Sequence, residues 1–218
     1  MKSITAAKPL QEMVDQLGAA KKVAVLGCGT CPAMMRTGGL DQVMELRGQL
    51  ESRGFQVIYA EVLPVACESL PLEARQELAR GCRTADAAVV MSCSLGVRAV
   101  CDDLDMPVLP ALNTLFIGRE EPSGLFVEEC RQCGDCILGR TGGICPITRC
   151  AKSLLNGPCG GSVQGRCEVD PSIPCGWQMI YDRMKALGRL ESLLGIEPVK
   201  DWSSSWHGGP HLVKPPQG

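Results

Sequence analysis

The chemistry in this 218-residue sequence is concentrated in its fourteen cysteines. Eight fall within 46 residues: Cys130, Cys133, Cys136, Cys145, Cys150, Cys159, Cys167 and Cys175. The run opens as C-x2-C-x2-C, which sets three thiols on one tight turn and suits three corners of a cubane iron–sulfur cluster. Pro146 follows Cys145, as in bacterial ferredoxin runs, where that fourth cysteine serves the other cluster; the longer spacing here makes the analogy partial. At four ligands per cluster, eight thiolates make two sites. Zinc is the competing metal, at one site or both, although zinc ribbons more often present paired C-x2-C knuckles than a triple. Spacing alone does not say which cysteine serves which site.

Four more cysteines stand where strand patterns end. GCGTC carries Cys28 and Cys31, EVLPVACE carries Cys67, and MSCSLG carries Cys93. In an open parallel sheet, ligand sites form beyond the carboxyl ends of the strands. Three loops there deliver a complete set of four thiolate ligands, for an iron–sulfur cluster or for zinc. Cys28 and Cys31 also have the C-x-x-C spacing of a redox dithiol, and simple packing is a third reading. A dinucleotide loop is excluded. GCGTCP lacks the third glycine, and Glu61 lies 34 residues after Gly27 where an acidic residue is needed after ~20. Cys82 and Cys101 lie away from these loops and read as small buried hydrophobes.

Other catalytic apparatus is sparse. The two histidines, His207 and His211, sit in a Gly- and Pro-rich tail and read as solvated. No histidine stands beside a nucleophile, and no glycine loop with its lysine cradles phosphate. Glu68 and Glu168 adjoin cysteines and read as neighbouring or surface groups. Gly157, Gly160 and Gly161 in NGPCGG permit backbone positions closed to other residues and let amide N–H groups approach cluster sulfurs. Such a chain is a wire rather than an independent catalyst.

The elements that must position these thiols follow from periodicity. Val23–Leu26, Phe55–Ala60, Asp86–Met91 and Met106–Leu109 read as strands. Thr5–Leu17, Gly39–Arg53, Pro71–Ala79 and Leu95–Leu104 read as helices between them. This alternation predicts an α/β fold, a Rossmann-like domain on a parallel sheet over residues 1–118. An irregular cysteine-rich metal or iron–sulfur module follows over 119–200. It is dense in Gly, Cys and Pro up to Pro174 and needs a metal or cross-link to hold together. Apolar residues at helical intervals then predict one helix over Gly176–Leu194. The last segment, 201–218, is expected to fray or to dock on a partner.

Composition bounds the function classes. Lys+Arg 22 against Asp+Glu 24 gives a net charge of −2, which offers no general attraction to nucleic acid or to an anionic membrane. Aromatic residues at 4% argue against a base-stacking platform. No apolar stretch reaches the roughly 18 residues of a membrane span, so no membrane insertion is expected. The amino terminus has no secretory core. A cytoplasmic location is therefore expected, and there thiols stay reduced. Metal ligands are the expected use of these cysteines, ahead of seven disulfides.

The ordered elements GCGTC, VACE, SCSLG and PVLPALNTLFIG, then CRQCGDCILGRTGGICPITRCAKSLLNGPCGG, GRCEV and PCGW, resemble a known family across about Lys21 to Leu194. It is the small cysteine-rich (MetV-type) subunit of two-component methylenetetrahydrofolate reductases of acetogens and related anaerobes. The sequence is also similar to the carboxy-terminal extension of some longer reductases. The resemblance implies an electron-transfer subunit in one-carbon metabolism, non-catalytic by itself. Its partners would be a flavin-containing methylenetetrahydrofolate reductase catalytic subunit and an electron-donor protein. It implies two or three 4Fe-4S clusters, with zinc possible at one site. Cys28, Cys31, Cys67 and Cys93 would hold one centre and the eight later cysteines two more. The alternative is a zinc-stabilised structural subunit of the same complex without a redox role.

Overall fold

The computed structural model describes residues 2–68 and 70–203. The chain divides into two compact units, Met1–Phe116 and Ile117–Gly218. The first unit contains β1 (Lys2–Ala7), α1 (Leu10–Leu17), β2 (Lys22–Cys28), the single turn α2 (Cys31–Met34), α3 (Leu40–Ser52), β3 (Gln56–Leu63), α4 (Leu72–Cys82), β4 (Ala87–Met91), α5 (Ser94–Asp103) and β5 (Val108–Pro110). A four-stranded parallel sheet runs in the order β3-β2-β4-β5.

The apolar runs of β2 and β4 are buried on both faces, the pattern of a parallel strand covered by helices on either side. Side chains alternate along β2. Val23 and Val25 join Val43, Leu46 and Leu50 of α3 in one core, while Ala24, Leu26 and Cys28 join Leu78 of α4 and Val100 of α5 in the other. The strand order reverses at β2. The connection leaving the carboxyl end of β2 and the one leaving β4 therefore run in opposite directions and open a crevice between these two strands.

The carboxyl end of β2 is held tightly. Cys28 N–H donates to the Gly38 carbonyl at 2.9 Å and Gly29 N–H to the Leu63 carbonyl at 2.8 Å. Gly27 leaves no room for a side chain, since a Cβ there would lie 2.5 Å from the Gly38 oxygen and 2.6 Å from Val43 Cγ2. At the opposite end, the Asp86 carboxylate accepts from the Lys21 and Lys22 backbone N–H groups, each at 2.8 Å. Those two bonds hold its carboxyl below the usual range.

Two departures from expectation fall in this unit. The helix read from Thr5 begins only at Leu10, and Lys2–Ala7 forms β1 instead. Pro9 is the cause, because it forces the residue before it into extended backbone. The helix read over Pro71–Ala79 runs on as α4 through Cys82, its last residue.

β6 (Leu112–Glu120) begins in the first unit, where it neighbours β1, and ends in the second. There it pairs antiparallel with β7 (Phe126–Cys130). Glu121 N–H closes the hairpin on the Leu125 carbonyl at 2.8 Å, and Gly124 takes φ +80° in its turn. This hairpin corrects the expectation of irregular chain from Arg119 onward. The unit continues with α6 (Pro146–Arg149), α7 (Gly176–Ala186) and a 3-10 turn at Leu190–Leu193. The single helix expected to Leu194 therefore breaks after Leu187, where Gly188 turns the chain at φ +65°.

Arg149, at the end of α6, pairs with Glu129 of β7 and with Glu121 at 3.3 Å. Arg119 of β6 reaches Glu129 at 2.7 Å and Glu121 at 3.0 Å. Trp177, Ile180 and Met184 of α7 form the unit's small core, and Trp177 Nε1 donates to the Leu154 carbonyl at 2.9 Å. Among the described residues, no helix is long and apolar enough to cross a membrane.

Substituting Gly27→Ala is expected to cost roughly 1–3 kcal/mol, the overpacking range for a filled interior. It would appear as a lower denaturation midpoint by circular dichroism with an unchanged slope. Wild-type stability in that variant would contradict the packing described behind Cys28.

Candidate functional site

The first thiol group lies over the sheet crevice. Cys28 is the last residue of β2, Cys67 follows β3, and Cys93 caps α5 directly after β4. Burial raises the Cys28 thiol, but the Thr30 hydroxyl and the surrounding backbone N–H groups outweigh it and hold the group below its ordinary value. The Thr30 oxygen stands 3.2 Å from Cys28 Sγ. Cys67 goes the other way. Desolvation of its sulfur raises it, and negative charge on Cys93 and Cys28 adds to the rise. Cys67 is thus within electrostatic reach of Cys28 and Cys93. Cys31 opens α2 and is half-buried. Ser92, completely buried beside these thiols, also helps to lower the Cys28 thiol through its side chain.

The second group opens the cysteine-rich unit. Cys130, Cys133, Cys136 and Cys145 line one hollow of about 250 Å³ together with Ile137 and Ile147. Gln132 takes φ +53°, unusual for a residue with a side chain, and so directs its backbone N–H to Cys130 Sγ at 3.3 Å. Cys145 precedes Pro146 at the start of α6.

The four remaining cysteines lie on loops that approach one another through backbone contacts. Gly176, just after Cys175, packs so closely that a Cβ there would lie 2.8 Å from Cys150 N. Cys167 accepts backbone N–H bonds from Asp170, Val169 and Ala151, the neighbour of Cys150, and these lower its thiol. Glu168 lies over Gly161 and also pairs with Lys152. Gly161 N–H in turn donates to Cys159 Sγ at 3.4 Å. Of the eight module cysteines, Cys130, Cys133, Cys136 and Cys145 line one shared hollow.

No disulfide links any of the fourteen cysteines. Among the described residues, no three His, Cys, Asp or Glu side chains meet at a single ion's position. The thiols ring space instead of converging on a point. Sulfur donors suit zinc, copper(I) or iron–sulfur groups and disfavour magnesium or calcium. The hollow also exceeds the roughly 30 Å³ share of one water. With Lys200 buried beside Asp135 and without a hydrogen-bond partner among the described residues, the lining of this hollow fits a thiolate-held inorganic group.

Cys82 and Cys101 part company. Cys82 is fully buried, and burial followed by the nearby Glu61 charge pushes it up to about 11. Cys101 is exposed on α5, which corrects the expectation that both are buried: its helical position faces outward, not into the sheet. His207 and His211 lie outside the described residues. Sequence reasoning missed Lys200, whose buried ammonium approaches Asp135 at 3.3 Å. Nothing in the local sequence distinguishes it from a surface lysine.

The chain thus combines a parallel-sheet unit bearing strand-end thiols with a small cysteine-rich unit in which four thiols line one hollow. Residues 109–203 match the family described as methylene-tetrahydrofolate reductase C terminal, and this portion of the chain is related to that region of those reductases. No curated protein and no solved structure matches the chain.

At pH 8 a thiol with a pKa near 11 is thiolate in only about a thousandth of molecules, and the thiolate is the reactive form. In the folded protein, iodoacetamide is therefore expected to label Cys101 and to spare Cys82 until the chain is unfolded. Peptide mass mapping reads both sites. Early labelling of Cys82 would contradict its placement under α4.

Proposed function

We propose that this protein is an iron–sulfur electron-transfer subunit of a methylenetetrahydrofolate reductase, relaying electrons to or from a partner flavin-containing catalytic subunit. The observation that carries this reading is the hollow ringed by Cys130, Cys133, Cys136 and Cys145, inside the stretch related to the reductase C-terminal region. A four-iron cluster, when bound, supplies one-electron transfer. Cys130, Cys133, Cys136 and Cys145 would hold one cluster, and Cys150, Cys159, Cys167 and Cys175 a second. Cys28, Cys31, Cys67 and Cys93 would hold a third metal group, iron–sulfur or zinc.

The chain's own residues supply the environment. Backbone N–H groups of Gln132 and Gly161 reach the sulfurs of Cys130 and Cys159. N–H donors of this kind favour electron density on sulfur and so raise a cluster's reduction potential. Ile137 and Ile147 line one side of the first hollow and limit water there. Flavin and folate contacts belong, on this reading, to the partner.

Protein purified without oxygen is expected to hold about twelve irons and twelve acid-labile sulfides per chain if all three groups carry four-iron clusters. About eight of each is expected if the strand-end thiols take zinc. Cys133→Ala should remove about four irons, whereas Cys101→Ala should leave metal content unchanged. Zinc alone in folded protein would eliminate the redox role and leave a metal-stapled structural subunit.

A further inference from the structure

We infer that Lys200, acting with Asp135, is a positioning residue that sets the reduction potential of the group held by Cys130, Cys133, Cys136 and Cys145; this rests on the iron–sulfur reading above. The Lys200 side chain is only 2% exposed, and its ammonium has no hydrogen-bond partner among the described residues. Burying a cation in this way is costly unless negative charge offsets it. The charged group beside it is Asp135, whose side chain is 57% exposed and lies at 3.3 Å. That carboxylate is largely in water and compensates weakly.

Asp135 lies between Cys133 and Cys136 and lines their hollow. The Cys133 thiol points at the Asp135 carbonyl at 3.6 Å. The buried cation therefore approaches the side chain of a residue that itself lines the sulfur-bearing hollow. Four thiolates carry more negative charge than a cluster core cancels, and the excess is what the ammonium lacks among its protein neighbours. Reduction adds one more negative charge to that group. A fixed cation close to that lining favours the reduced form, and Asp135 partly offsets it.

Charge removal at the two residues must therefore act in opposite directions. The test is a dithionite titration with mediators, followed by electron paramagnetic resonance, on oxygen-free full-length protein with iron and sulfide measured for each variant. Poised at the wild-type midpoint, Lys200→Met should shift the oxidised-to-reduced ratio of this cluster about tenfold toward oxidised, equivalent to about 59 mV for a one-electron couple. Asp135→Asn should shift it about threefold toward reduced, the smaller effect because the carboxylate is solvated. Lys200→Arg, which keeps the charge, should stay within about twofold of wild type.

Shifts of opposite sign with unchanged iron support the inference, since a purely structural defect would not reverse sign between the two variants. Wild-type potentials in both Lys200→Met and Asp135→Asn, at full iron content, overturn it while leaving the iron–sulfur reading intact. If Lys200→Met fails to fold, Asp135→Asn decides alone: no shift, or one toward oxidised, overturns the inference. Wild-type protein without iron overturns both readings.

Discussion

Among the apolar side chains described in the second unit, only Pro146, Ile147, Trp177, Ile180 and Met184 are buried, while the unit carries eight cysteines. Such an interior excludes too little water to hold several irregular loops by itself. The loops that carry the cysteines obtain their order from other sources. The hairpin is tied to α6 by the Arg149 and Arg119 pairs with Glu121 and Glu129, and the close approach of Gly176 to Cys150 is backbone against backbone. On the proposed reading the sulfurs complete this order, because binding free energy at thiolate sites becomes folding free energy.

The first unit meets the same demand with a conventional solution. Its two cores, one on each face of the sheet, are built chiefly from aliphatic side chains, so the strand-end thiols sit on a rigid base. Cys28 takes part in both: its residue packs in the core beneath the sheet's end, yet its sulfur is surrounded by donors from Thr30 and the neighbouring backbone. A site built on the end of a strand inherits the precision of the strand.

Much of this organisation was legible in the sequence. The parallel strands announced themselves as unbroken apolar runs, and the strand-end cysteines followed from where those runs stopped. β1 was not legible, because a helical pattern from Leu10 to Leu17 extended backward across Pro9. The β6–β7 hairpin was hidden by its charged surface: Arg119, Glu120, Glu128 and Glu129 mask the alternation that marks a strand. Cys101 looked apolar by type, and its outward direction depends on which face of α5 meets the sheet. The approach of Ala151 to Cys167 was beyond any spacing rule, since it is a long-range contact. The resemblance extended across both units, whereas the family match covers residues 109–203.

At Gln132 the donor to Cys130 is the main chain, and the side chain takes no part in that bond. What natural variation must keep there is therefore a backbone shape and not a functional group. With φ at +53°, glycine or asparagine would be accommodated readily, while valine, isoleucine or proline would twist the amide away from the sulfur. A comparison of homologues that scores chemical similarity alone would overlook this position, although a β-branched replacement there disturbs the cysteine turn as directly as losing a thiol.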